Sequence, residues 1–420
     1  MVKAVPGATD LAMLIAGLLL LPGLLPGADA AEALTASAGE TDLWQQPGAM
    51  SADWQAYQQQ SAADATRLQQ QLQTELAAAK LTAPLPALKA KNFGLNGIDN
   101  PAALNAVLSY QTVLGGWSKR TDMQQVRKPG QLAGSEPAYI PTFDNGATST
   151  QMRWLAAYYL QASAVEQAKI RTALTQAVQF VLRAQYPNGG FPQSYPLRGG
   201  YHDAVTLNDN VMTDLLNLLW DLANQPDYQW LAADLRASAQ AGFAKGVAWL
   251  VSAQVVVDGK RTVWTAQHHP LTGAPVAARK FEQISLVSSE SAAVLQLLLD
   301  KALDKAREQK PSSPGVLPAL CSGIAWLQQH QIRDKVWQRH DTGSKLVEKK
   351  GAQIWARFYS LPQQQPVFFD RDGQVYSDVN QLSLERQQGY GWYQTNAKGV
   401  LKAWRKKPEL AAQCGQIGGK

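Results

Sequence analysis

The stretch Phe180-Val-Leu-Arg-Ala-Gln185, with Gly189-Gly-Phe191 just after it, decides the fold, because the chain repeats the same device on either side. Gln111 precedes Gly115-Gly-Trp117, Gln254 closes the run Val247-Ala-Trp-Leu-Val-Ser-Ala-Gln254 and precedes Trp264, and Gln329 precedes Trp337. The interval is about seventy residues, room for two helices and their loops. A recurring helical unit that buries its face only against its neighbours predicts a mainly α chain wound into an α/α toroid or solenoid. Strand signals are short: Val255-Val-Val257, Thr262-Val-Trp264 and Pro366-Val-Phe-Phe369.

Around the opening stretch the polar residues thicken. Gly189-Gly-Phe-Pro-Gln-Ser-Tyr-Pro196, Tyr201-His-Asp203 and Leu207-Asn-Asp-Asn210 all come just before the apolar run Val211-Met-Thr-Asp-Leu-Leu-Asn-Leu-Leu-Trp220. One Asn or Asp there caps a helix. Three in a row after His202-Asp203 exceed what capping needs and mark a candidate site. Apolar helices expected at about 148 to 162, 291 to 304 and 396 to 405 also follow polar clusters: Asp144-Asn-Gly146, Ser288-Ser-Glu290 and Gln394-Thr-Asn396. Taken singly, each cluster reads as a cap. If alternate helices of a toroid run the same way, the clusters gather at one end, where helix dipoles keep carboxylates ionised.

With 420 residues, 45% hydrophobic and 17% charged, the chain has ample core material. Residues 1–30 read as a secretory signal: Lys3, an apolar run from Leu11 to Leu21, and the cleavage-site pattern Ala28-Asp-Ala30. The run is too short and too proline-interrupted for a membrane span, so an exported protein, periplasmic or extracellular and not inserted in a membrane, is expected. Residues 31–99 read as an N-terminal extension, with one exposed Ala- and Gln-rich helix up to Lys80 and a linker near 82–100. The catalytic domain is expected over 100–420, as a monomer. The formal charge of +6 suggests a polyanionic partner, but the basic residues are scattered and no nucleic-acid motif accompanies them. Cys321 and Cys414 either pair in an oxidising compartment or stay as buried thiols. Phe369-Asp-Arg-Asp-Gly373 lacks the other acids of a calcium loop and reads as a turn with a surface ion pair.

In their order along the chain, Gly115-Gly-Trp-Ser-Lys119, Phe143-Asp-Asn-Gly-Ala-Thr148, Gly189 to Pro196, Tyr201-His-Asp-Ala204, Leu207 to Asn210, Ala278-Arg-Lys-Phe-Glu282, Ser288-Ser-Glu-Ser291 and Trp355-Ala-Arg-Phe-Tyr359 resemble the motifs of pectate lyases of polysaccharide lyase family ten. The resemblance runs from roughly residue 100 to 405. It implies an (α/α)3 toroid that cleaves de-esterified homogalacturonan by calcium-dependent β-elimination, leaving unsaturated oligogalacturonides. That chemistry needs a neutralised uronate, a base near C5 and support for the leaving O4. Calcium accepts several oxygens, including a shared substrate carboxylate.

The resemblance implies Asp144 as the first calcium ligand, Asp209 as the second and Asp203 as the third, and the sequence leaves open which of the last two reaches the metal. It places Asn145 and Asn208 at the cleft and makes Arg279 the base at C5. On its own, Arg279 would be a surface ion-pair partner, because a guanidinium gives up its proton only above about pH 12. Arg357 and Lys119 either bind substrate carboxylates or are plain surface cations. Trp117, Phe191 and Tyr201 either line sugar subsites or plug the core; His202 and Glu282 orient their neighbours. Two departures stand out: His269 where the family commonly has Asp, and Val287-Ser-Ser-Glu290 in place of a Ser-Gly-Ser-Glu pattern. Rival readings are a hydrolase with two opposed carboxylates on the same toroid and a non-catalytic binder of acidic oligosaccharides. No obvious catalytic Glu pair supports the first, and Arg279 together with Asp144 argues against the second.

Overall fold

The computed structural model describes residues 43–44, 50–95, 101–135, 140–303, 315–340 and 342–417, so the expected leader over 1–30 lies outside the described residues. Its main helices are α1 (Ala52–Ala79), α2 (Pro101–Ser109), α3 (Ser149–Tyr159), α4 (Ala164–Ala184), α5 (Val211–Asn224), α6 (Ala233–Ser252), α7 (Ser288–Leu297), α8 (Val316–Gln329), α9 (Ala397–Arg405) and α10 (Pro408–Ile417). The pairs α3/α4, α5/α6 and α7/α8 pack as hairpins. Across hairpins, α3 meets α5, α5 meets α7 and α7 meets α9, while α4 meets α6 and α6 meets α8. Three helical hairpins in two concentric layers make the expected (α/α)3 toroid.

Local sequence explains each helix. α4 opens on a capping box between Ser163 and Glu166 and buries Ile170, Leu174, Ala177, Val178 and Val181 along one stripe. α5 buries Leu215, Leu216, Leu218, Leu219 and Leu222, a wide face suited to a helix covered on several sides.

The recurring glutamine turns out to be a staple between neighbouring helices of one layer. The Gln111 amide donates to the carbonyls of Gly115 (2.8 Å) and of Ala173 on α4 (2.9 Å). Gln185 donates to Gly189 and to Gly242 on α6, both at 2.9 Å, and Gln254 to Thr262 and to Ala319 on α8, both at 2.9 Å. Each amide thereby satisfies two carbonyls that packing takes away from water. The tryptophans add a second tie: the indoles of Trp117 and Trp264 donate to Val107 and Leu250 at 2.9 and 2.8 Å. Gly115 and Gly189 adopt φ of +104° and +101°, and a Cβ on either would sit 2.4 Å from a carbonyl oxygen, of Gln176 and Lys245 respectively.

The fourth copy departs from expectation. Trp337 lies in a β-hairpin, Ile332–Gln338 paired with Lys345–Ala356, which is inserted after Gln329. Trp355 takes the structural place instead, its indole donating to Leu327 at 2.7 Å. The hairpin escapes a sequence reading because charged residues and an irregularity between Arg333 and Lys335 break its alternation. The other strand signals are met by Val256–Val257 and Pro366–Phe369, whereas Thr262-Val-Trp264 is not a strand.

Residues 41–420 cluster as one compact unit, so the expected extension before residue 100 packs with the helical body. α1 is sewn into the toroid: the Tyr57 hydroxyl donates to Ala184 O at 2.8 Å, and fully buried Asp64 accepts from the Tyr195 hydroxyl at 3.0 Å and pairs with Arg67 and Arg183. The expected linker also pairs with the body, Leu85 N bonding Gly130 O and Ala90 N bonding Arg120 O. Hydropathy shows this helix but hides its docking, because Tyr57, Ser61 and Asp64 carry polar groups at buried positions beside Leu68 and Leu76. Cys321 and Cys414 form a disulfide that ties α8 to α10.

Candidate active site

The starts of α3, α5, α7 and α9 belong to one layer and meet at one end of the ring. Arg357 Nη2 donates to Asn208 Oδ1 at 2.9 Å and to Glu290 Oε1 at 2.8 Å, with Asp209 Oδ1 at 3.8 Å. Asn396 Nδ2 donates to Ser289 Oγ at 2.7 Å. Asp144, Asn145, Asn208, Asp209, Arg279 and Glu282 line a single cavity at this end. The backbone there is unusual: Asn145, Asp209 and Asn210 have φ of +53°, +51° and +63°. Asn and Asp tolerate this left-handed region better than other side-chain-bearing residues, and such strain concentrates at functional sites.

Asp144 is buried, and its Oδ2 accepts from Lys119 Nζ at 3.0 Å. Burial pushes its carboxyl up, but the Lys119 ammonium, with Gln193 and Arg120, more than reverses this and holds it below the usual carboxylate range. Its Oδ1 is buried without a hydrogen-bond partner among the described residues, the state of an oxygen that waits for a ligand. Asp209 is its opposite. Desolvation and the neighbouring Asp144 carboxylate push Asp209 up to about 6, with Arg357 pulling the other way. Two acids crowded until one resists ionisation are suited to a hard cation, which would remove that repulsion. Among the described residues no three acidic or histidine side chains lie close enough to hold a metal ion by themselves, so a cation fits only with further oxygens from a ligand.

Asp203 is placed elsewhere. Its buried carboxylate accepts from Trp44 Nε1 (3.0 Å) and from the backbone N–H groups of Arg198 (3.0 Å) and Gly199 (3.1 Å), and it does not line the cavity. The third metal candidate therefore holds the loop that carries Arg198, Tyr201 and His202, and only Asp209 of the open pair faces the cavity.

Arg279 is gripped by Glu282 in a bidentate ion pair, Nε to Oε2 at 3.0 Å and Nη2 to Oε1 at 2.7 Å. Burial works against its charge, but Glu282 more than compensates and raises its pKa above the ordinary arginine value. The Tyr390 hydroxyl reaches the same Glu282 at 3.4 Å, and its ring lies 4.8 Å from the Arg357 guanidinium. Arg357 is itself buried, its charge reinforced against burial first by Glu290. Tyr201 and His202 stack with ring centres 4.0 Å apart. Burial, then Arg198 and Lys119, lower His202 to about 3, so the imidazole is neutral at ordinary pH. Trp117 and Phe191 are fully buried core plugs, whereas Tyr201 lines the cavity.

Sequence reading missed Gln193, Arg198, Arg120 and Gln267, which line the same cavity. Gln193 was at hand in the Gly189–Pro196 motif; Arg198 carries no local signal. The Phe369–Gly373 segment is a turn, as expected: Ser383 Oγ donates to Asp370 at 3.0 Å and Arg371 pairs with Glu385.

A model of the pectic acid lyase family matches residues 111–401. The chain belongs to that family. Among solved structures, a family 10 polysaccharide lyase from Cellvibrio cellulosa, in an aspartate-to-alanine mutant form with trigalacturonic acid, is 32% identical with a TM-score of 0.65; the match covers 75% of this chain and 94% of that one. A second structure of a family 10 polysaccharide lyase from Cellvibrio cellulosa is 33% identical with a TM-score of 0.64, over 72% of this chain and 91% of that one. No curated protein matches. Membership in the pectic acid lyase family makes the chain a polysaccharide lyase with pectate lyase activity, and decides against both the hydrolase and the non-catalytic binder. Among the described residues no helix is long and apolar enough to cross a membrane.

Proposed function

We propose that this lyase cleaves de-esterified homogalacturonan by calcium-dependent β-elimination and releases unsaturated oligogalacturonides. The observation that carries the reading is the buried, unpartnered Oδ1 of Asp144 in one cavity with Asp209 and Arg279. Asp144 and Asp209 would hold calcium, with the amides of Asn145 and Asn208 beside them and the substrate carboxylate completing the shell. Bound there, calcium neutralises the uronate and makes its C5 proton more acidic.

Glu282 keeps the Arg279 guanidinium charged at rest, so it acts as base only in the small fraction that has first lost a proton to solvent; that neutral guanidine takes the C5 proton and is returned to the guanidinium paired with Glu282. Lys119 exchanges Asp144 for a substrate carboxylate, and Arg357, fixed by Glu290 and Asn208, supports the next one. Neutral His202 and Tyr201 form a stacked wall for a sugar ring. The Cys321–Cys414 disulfide supports an exported protein, because such bonds persist in oxidising compartments. The relative solved with trigalacturonic acid supports an oligogalacturonide as ligand.

The test is ultraviolet absorbance of the conjugated uronate on polygalacturonate, with calcium and then with a chelator, for the native chain and Arg279→Ala. A calcium-dependent rise that disappears in the variant upholds the reading; a rise indifferent to both overturns it.

A further inference from the structure

The chain's positive charge, scattered along the sequence, is gathered by folding. The hairpin over 332–356 carries six Lys and Arg, and α9 with the two residues after it carries five, against three acids in the two segments together. These segments therefore hold +8 while the whole chain holds +6. They face each other across a polar groove of about 650 Å³, lined by Gln328, Gln331, Arg333, Asp334, Gln353 and Arg405, with Gly351, Ala352 and Leu401 as its apolar part. Arg333 and Arg405 are exposed, as are Lys349, Lys350, Lys402 and Lys406 next to lining residues in the chain. Among the described residues the side chains of Arg405, Gln328 and Gln353 make no hydrogen bond or ion pair, and the one acid, Asp334, already accepts from Gly351 N at 2.6 Å. The groove is separate from the cleft. α9 begins beside the cleft, where Asn396 meets Ser289, and Arg405 lies about 13 Å further along its axis at the helical rise of 1.5 Å per residue.

We propose that this groove is a second binding site for galacturonan, holding polymer away from the catalytic cleft. Two guanidinium groups at a groove match successive carboxylates of a polyuronate, Arg333 being steadied by its Nε donating to Gln331 Oε1 at 3.1 Å, and the amides of Gln328 and Gln353 match its hydroxyl groups. Purely electrostatic polyanion binding would need no amides, and a neutral sugar would need no arginines. The inference rests on the reading that galacturonan is the substrate.

Two double variants test it, Arg333→Gln with Arg405→Gln, and Gln328→Ala with Gln353→Ala, each checked for unchanged thermal unfolding. Retention is measured in native gels containing polygalacturonate, and on heparin, with cleavage of trigalacturonate followed separately. The arginine variant is expected to be held roughly tenfold less tightly by polygalacturonate. The glutamine variant should lose retention on polygalacturonate but not on heparin, and both should cleave trigalacturonate at the native rate. Native retention in both variants would overturn the second site. Equal losses on heparin and polygalacturonate in the glutamine variant would overturn sugar recognition in favour of a general cation surface. If the native chain leaves trigalacturonate and polygalacturonate uncut, the substrate reading itself has failed, an outcome distinct from either.

Discussion

Glu282 holds Arg279 through two parallel hydrogen bonds of 2.7 and 3.0 Å, so the side chain proposed as the base rests as a clamped, charged guanidinium. Because this pair raises the Arg279 pKa, the deprotonated fraction is small at neutral pH and grows with every step upward. The logarithm of kcat at saturating calcium should therefore keep climbing through pH 9. A plateau reached below pH 7 would exclude Arg279 as base. Arg279→Ala should lower kcat by about 10²–10⁴-fold with little change in KM.

Asp144→Asn removes a charge and keeps the shape. Lys119 then loses its charged partner, and the proposed calcium site loses the acid placed first in it. Calcorimetric titration of calcium in the presence of trigalacturonate should show binding weakened by at least about tenfold; equal affinity in the variant would move the metal elsewhere.

Asp209 fixes the sign of a pH effect. Its folded pKa, about 6, lies above the ordinary aspartate value, so this group favours folding at low pH, and its contribution is lost as pH rises through 6. Burial first, and then repulsion from Asp144, lie behind that shift, and a calcium ion at the proposed site would offset both. Added calcium should raise the thermal midpoint more at pH 8 than at pH 5, as differential scanning calorimetry would read; the reverse order would deny calcium contact with Asp209.

Asp64→Ala leaves Arg183 and Tyr195 without their buried acceptor. A loss of about 3 kcal/mol in unfolding free energy is expected, with the cleft loop after Tyr195-Pro196 loosened. Denaturant unfolding within experimental error of the native chain would show that α1 is an appendage after all.

Reduction of Cys321–Cys414, or Cys321→Ser, opens a tie across 93 residues between α8 and α10. About 2–4 kcal/mol of stability should go with it, measured by urea unfolding with and without reductant.

Much of the fold was legible because it repeats. Gln111, Gln185 and Gln254 recur where one carbonyl pattern recurs, and periodic apolar runs located α4, α5 and α6. The 332–356 hairpin and the docking of α1 were not legible, since a bulge spoils one pattern and Tyr57, Ser61 and Asp64 at buried positions blur the other.

Of the site, the sequence by itself determined the residue types and their helix-start positions: Asp144-Asn145, Asn208-Asp209 and Ser288-Ser-Glu290 announce polar groups wherever they stand. Only the tertiary structure decided which of them work together. Asp203 and Asp209 are six residues apart and chemically the same, yet one is filled by Trp44 and two backbone donors while the other faces the cavity within electrostatic reach of Asp144. The reason is that a carboxylate's pKa and free lone pairs depend on donors and charges brought from distant parts of the chain, and that proximity exists only once the ring of helices has closed.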